Sequence, residues 1–185
     1  MRELSRELLD AFTPRGEMDL VTDYAEPLPT MVIAGMIGVP PDDRPTFLRW
    51  AHAILNLGYA VTGGERAARA AREYLAVSEE MKIYLANAMA ARRTRPSDDL
   101  LTRLVEAEVD EERLTDEEIL GFVKLLLSAG TETTTNTLAN AIITFLDHPH
   151  QLARLRREPE LMPQAACAWS EAPANPIRSD AAVEL

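Results

Sequence analysis

Apolar residues along most of this chain recur every three or four positions, the period of a helix with one buried face. Leu4, Leu8, Leu9 and Phe12 predict a first short helix, stopped by Pro14 and Gly16. Residues 16–21, GEMDLV, alternate and predict one short strand. Met31, Val32, Ile33, Met36 and Ile37 place a helix over about 28–37, ended by Gly38. VPPDDR then punctuates, and Asp42 or Asp43 caps a helix through FLRWAHAILNL, in which Trp50 is most simply core. After a turn at 62–64, residues 65–93 form a long charged helix with apolar Leu75, Met81, Leu85 and Met89. Ser97 is the candidate N-cap of DDLLTRLVEAE, and the acidic run from Glu106 to Glu118 reads as a solvated linker.

Thr115 and Glu118 make a capping box, and nothing stops the helix that follows until His148-Pro149. Thirty-odd residues at a rise of 1.5 Å give about 50 Å, so this helix crosses the middle of the domain. Pro149, Pro159 and Pro163 then divide short helices, His148 and His150 sit where a helix end needs capping, and the pattern turns irregular after Trp169. The prediction is a mainly α chain built around one long central helix, with one or two short strands and a single domain over 1–185.

The centre of that helix is its weakest part. Gly130, Glu132 and five threonines (131, 133, 134, 135 and 137) sit between apolar ends. Glycine and β-branched threonine are poor helix formers, and a buried unpaired carboxylate is costly. Leu125, Ala129, Glu132, Thr133 and Asn136 share one helical face. Threonine hydroxyls that bond back to the preceding turn loosen and bend a helix. A loosened turn beside a carboxyl and a hydroxyl can hold water and relay protons. The plain alternative is an ordinary helix in which Glu132 is a solvated or paired carboxylate.

Composition narrows the classes. Hydrophobic residues make up 46% and charged residues 26%, as in a globular protein. The net charge of −11 argues against nucleic acid and anionic membrane surfaces as partners. One cysteine, Cys167, permits no internal disulfide and no multi-cysteine metal site, which fits a reducing compartment such as the cytoplasm. No apolar run approaches bilayer length, and no secretory leader precedes the first helix. His52, His148 and His150 are too scattered to hold a metal.

The hexapeptide Ala129-Gly130-Thr131-Glu132-Thr133-Thr134 resembles the (Ala/Gly)-Gly-x-(Asp/Glu)-Thr-(Thr/Ser) signature of cytochrome P450, the haem-thiolate monooxygenases. VIAGMIGVPPDDRPTFLRWAHAIL, SDDLLTRLVEAE with LTDEEILGFVKLLLSAGTETT, and HPHQLARLRREPELMPQA resemble flanking segments of the bacterial members. The resemblance covers most of residues 1–165. It implies a partial cytochrome P450 fold and, in the parent enzyme, haem b, O2, a small apolar organic substrate and a ferredoxin-type or other redox partner. It also implies that Glu132 is the acid and Thr133 the alcohol that supply protons for O2 activation. Ala129 and Gly130 would line the oxygen groove, Leu125 would face substrate, and Arg178 would contact a haem propionate.

Departures are as specific as the matches. The family's Phe-x-x-Gly-x-x-x-Cys-x-Gly loop is not in this chain, and Cys167 lies in AACAWSEAP without flanking glycines. A thiolate is the ligand whose charge favours O–O cleavage. Ala166 and Trp169 stand where the family's Glu-x-x-Arg belongs. The family's early sheet and its helix with Trp-x-x-x-Arg are also missing. The expectation is an internal piece of such an enzyme, inactive by itself. The rival is a helical small-molecule-binding or regulatory module without chemistry.

Overall fold

The structure, a computed structural model, describes residues 1–59, 63–109, 112–171 and 182–184. It is mainly α-helical, as the periodicity predicts. The chain divides into two compact units, Pro29–Thr131 and a second made of Met1–Leu28 with Glu132–Leu185.

In the unit Pro29–Thr131, α2 (Pro27–Ile37) opens on Pro27 and Pro29. Proline is tolerated there because first-turn N–H groups have no partner within the helix. Gly38 ends it at φ +86°, a left-handed conformation that side chains resist. Then come α3 (Arg44–Tyr59), α4 (Gly64–Thr94) and α5 (Leu100–Glu106). The core seats Phe47, Trp50 and Tyr84 together, with ring centroids 4.7 to 5.7 Å apart. Against them lie Val77, Met81, Leu85 and Met89 of α4, spaced four apart and all buried. Leu75 is not among them. It is 66% exposed, because six residues before Met81 carries it off that i+4 row, and Val77 takes the core position.

Asp99, not Ser97, caps α5: its carboxylate accepts from the Thr102 N–H at 2.8 Å. The same carboxylate takes the Arg92 Nε–H at 2.7 Å, and Arg92 Nη2 donates to the Gly38 carbonyl at 3.1 Å. One aspartate thus ties the end of α2, the end of α4 and the start of α5. Ser97 donates its backbone N–H to Thr102 Oγ1 instead, at 3.1 Å. The acidic run is not wholly linker. Glu108–Val109 (β2) pairs antiparallel with Glu112–Arg113 (β3), and Arg113 Nε meets the Glu108 carboxylate at 2.8 Å.

The long helix α6 (Asp116–Asp147) begins with the expected capping box: Glu118 accepts from the Thr115 N–H at 2.8 Å, and Thr115 Oγ1 accepts from the Glu118 N–H at 3.2 Å. Ile119, Val123 and Leu127 follow the i+4 row into the core.

In the other unit, α1 (Arg2–Phe12) is anchored by Ser5, whose hydroxyl lies 2.9 Å from that of Tyr24. GEMDLV contributes a shorter strand than its alternation suggests, β1 (Glu17–Asp19), because Leu20–Ala25 turns into a wide π-type helix. Asp19 causes that switch by accepting from the Val21 and Thr22 N–H groups at 3.0 and 2.9 Å. β1 pairs antiparallel with β4 (Ala182–Glu184), Met18 opposite Val183. After α6 come α7 (Pro149–Arg157) and α8 (Met162–Glu171). His148 caps the end of α6 as expected, its Nδ1 lying 3.1 Å from the Thr144 carbonyl oxygen. Among the described residues no helix is long and apolar enough to cross a membrane.

Candidate functional site

The weak centre of α6 is explained by which side each threonine faces. The buried i+4 row that starts at Ile119 continues through Thr131, Thr135 and Ala139. Inside the unit Pro29–Thr131, Thr131 is fully buried, its hydroxyl 3.2 Å from that of Thr30 on α2. Inside the other unit, buried Thr135 donates to the Ala25 carbonyl at 3.1 Å. That carbonyl needs a donor from elsewhere, since the residue four further on is Pro29, which has no N–H. Two of the five threonines are therefore buried hydrogen-bonding residues. The signal was present in the sequence: positions 119, 123, 127, 131 and 135 lie on one row whatever their polarity.

The opposite face is open. Phe122 is 41% and Leu125 65% exposed, Ala129 and Thr133 are exposed, and Glu132 and Asn136 are half-buried on its border. Ala129, Thr133 and Leu125 share one face, as their spacing predicts, and that face is exposed. Gly130, one residue on and about 100° round the helix, is not on it. It faces α2, where an added Cβ would stand 2.9 Å from Ile33 Cδ1, so its missing side chain makes room for Ile33. Thr137 Oγ1 donates to the Thr133 carbonyl at 2.9 Å and Thr144 Oγ1 to the Asn140 carbonyl at 2.7 Å, the back-bonding expected of threonine in a helix. Arg178 lies outside the described residues. Cys167 belongs to α8, and its side chain also lies outside them. No group of three or more metal-binding side chains occurs among the described residues.

A helix with a small-residue turn, a carboxyl–hydroxyl pair and an open apolar face is what the cytochrome P450 signature describes, and comparison with known proteins agrees. The profile "Cytochrome P450" matches residues 57–169. The chain belongs to the cytochrome P450 family. It is 40% identical over 161 residues to cyclomarin C epoxidase CymV of Salinispora arenicola, covering 86% of this chain and 40% of that protein. It is 39% identical over 165 residues to cytochrome P450 107B1 of Saccharopolyspora erythraea, covering 89% and 38%. Among solved structures, ligand-free cytochrome P450 TbtJ1 superposes with a TM-score of 0.79 at 42% identity, covering 89% of this chain and 42% of that one. The chain therefore spans about two fifths of the length of the relatives it matches. Family membership favours a piece of a monooxygenase over the rival module without chemistry.

The prosthetic group of this family is haem. The exposed side of α6 offers apolar atoms of Phe122, Leu125 and Ala129, a chemistry compatible with one face of that group. For the other face the chain offers no matching donor, since its single cysteine lacks the glycine-framed ligand loop.

Proposed function

We propose that this chain is the distal wall of a cytochrome P450 monooxygenase and that residues 1–185 form one partial domain of it. The parent enzyme inserts one oxygen atom of O2 into a C–H or C=C bond of a small apolar organic substrate. Electrons reach it from NAD(P)H through a ferredoxin-type or other redox partner, in the cytoplasm, without membrane or nucleic acid. The observation that carries the reading is the open stripe of α6, whose apolar members have no reason to face water in a finished protein.

On that wall Leu125 packs against substrate and Ala129 leaves the space where O2 and the flat group meet the helix. Gly130 holds α6 close to α2 through Ile33. The Glu132 carboxyl, half-buried beside the stripe, takes protons from solvent, and the Thr133 hydroxyl passes them inward. Haem, when bound in the parent, supplies the redox chemistry that activates O2. Arg178 is assigned to a propionate on the family pattern alone. By itself the chain is inactive, because it has no thiolate in the right setting.

Two measurements test this. Chain reconstituted with haem is expected to give no stable thiolate-type Soret band when reduced under CO, and such a band would overturn the claim of inactivity. A chimera of the Salinispora epoxidase carrying residues 116–147 of this chain tests the residue roles. Thr133→Val and Glu132→Gln are each expected to lower product formed per NAD(P)H by about a hundredfold, the size of a lost proton-transfer group. Unchanged yield in both variants would refute the assignment.

A further inference from the structure

Where α6 meets α4, inside the unit Pro29–Thr131, the chain holds a cation without a counter-ion. Lys124 is half-buried on α6, beside the core row of Val123 and Leu127. Its Nζ donates to Ser78 Oγ on α4 at 2.5 Å and lies 5.6 Å from the centroid of the Tyr74 ring. An ammonium has three donors, and neither a hydroxyl nor a ring face cancels its charge. Among the described residues no carboxylate pairs with it. That is unexpected in a chain with 30 acidic residues against 19 lysines and arginines.

The neighbours of Lys124 connect that charge to the open face of α6. Gly121 precedes Lys124 by three residues and Leu125 by four, so it lies between them on the helix surface. It is exposed, and a Cβ added there would meet nothing within 4 Å. Helical side chains lean toward the N-terminus, so the Lys124 stem leans toward the turn that Gly121 leaves bare. Leu125, 65% exposed, and the exposed Ala129 continue the same face toward the C-terminal end. Charge is thus offered at Gly121 and apolar surface beyond it, with Ala129 roughly 12 Å further along the axis. Of the nearby acids, Glu118 is engaged by the Thr115 N–H and hydroxyl. Exposed Glu117 stands roughly 10 Å from Lys124 along the helix, about one screening length.

We infer that the open face of α6 takes an apolar molecule ending in one carboxylate, and that Lys124 selects it. The carboxylate accepts from the Lys124 ammonium above Gly121, and the hydrocarbon lies along Leu125 toward Ala129. This rests on the reading of α6 as the substrate side of a monooxygenase wall, and it adds a charged end to the apolar substrate proposed there.

Three ten-carbon probes titrated into the full chain by calorimetry test it: decanoate, 1-decanol and decylammonium. On a chain of net charge −11, unspecific adsorption favours the cation and disfavours the anion. The reverse order is expected: decanoate saturates one site about tenfold more tightly than decanol, as for a partly exposed charge-assisted hydrogen bond, and decylammonium is weakest. Lys124→Met keeps a stem of similar length without the charge. It is expected to remove the tenfold advantage of decanoate and leave decanol unchanged, while Lys124→Arg keeps the advantage. Leu125→Ser is expected to weaken decanoate and decanol alike, with circular dichroism confirming that each variant keeps its helix content. Decanol binding indifferent to Leu125→Ser, or no saturation by any probe, would overturn the apolar seat on α6 and this inference with it. If decanol responds to Leu125→Ser but decanoate binds no tighter than decanol, or decanoate ignores Lys124→Met, the role of Lys124 alone is overturned.

Discussion

Removing the Asp99 carboxylate breaks two interactions at once, and their sizes follow from its surroundings. Its side chain is 6% exposed and that of its partner Arg92 21%. Asp99→Ala loses the cap of α5, about 1 kcal/mol. It also leaves Arg92 without its carboxylate. A fully buried cation so abandoned costs about 3–5 kcal/mol, and the fifth of Arg92 that water reaches brings this nearer about 2. The expected total is about 3 kcal/mol, a large part of the stability of a domain this size. Asp99→Asn keeps an oxygen for the Thr102 N–H and loses only the charge, so about 1.5 kcal/mol is expected.

The pH dependence has a definite sign. Burial works against the charged form of Asp99, but the Thr102 N–H and hydroxyl and the Arg92 guanidinium outweigh it and hold the carboxyl below its ordinary value. A depressed folded-state value means that the stabilisation is present above the ordinary carboxylate range. It is lost as pH falls below about 4, through the lower folded-state value. Urea unfolding followed by circular dichroism, at pH 7 and in steps down to pH 3, measures both effects. The order wild type, Asp99→Asn, Asp99→Ala is expected at pH 7, with the gap between wild type and Asp99→Asn narrowing in acid. Equal stabilities for the two variants, or a gap that widens in acid, would refute the account.

Thr135→Val removes the donor to the Ala25 carbonyl and is expected to cost about 1–3 kcal/mol, whereas Thr135→Ser keeps most of it; urea melts of both variants compare them. Gly38→Ala is expected to destabilise by about 2 kcal/mol or more, since φ is +86° and the new Cβ would lie 2.2 Å from Asp99 Oδ2. Gly130→Ala should instead stay within about 1 kcal/mol of the parent, because helix propensity offsets a contact with only the flexible tip of Ile33, and Ile33→Val should relieve that contact in the double variant. Leu125→Asp is expected to shift stability by no more than about 0.5 kcal/mol while lowering binding of an apolar dye to the chain, a result opposite to that for any buried leucine.

The helices, the capping box at Thr115 and Glu118, the His148 cap and the shared face of Leu125, Ala129 and Thr133 on α6 were all legible in the sequence, though not that this face is exposed. Each is a local matter: capping residues act within one turn, and helical spacing alone decides which residues share a face. The exposure of Leu75 was legible too, since Val77, not Leu75, lies on the i+4 row of Met81, Leu85 and Met89. Choices among equivalent local candidates were not legible. Ser97 and Asp99 are both competent caps, and only the arrival of Arg92 and the Gly38 carbonyl selects Asp99. Asp19, three residues into an alternating run, could continue a strand or start a turn, and its two backbone hydrogen bonds make it a turn. The partners of Thr131 and Thr135 are 101 and 110 residues away, Thr30 and the Ala25 carbonyl. The sequence by itself determined that α6 would carry polar groups into a core. Tertiary structure decided that Thr131 and Thr135 are the ones buried, while Thr133 is exposed and Glu132 half-buried, because a buried hydroxyl is tolerated only where the fold brings it a partner.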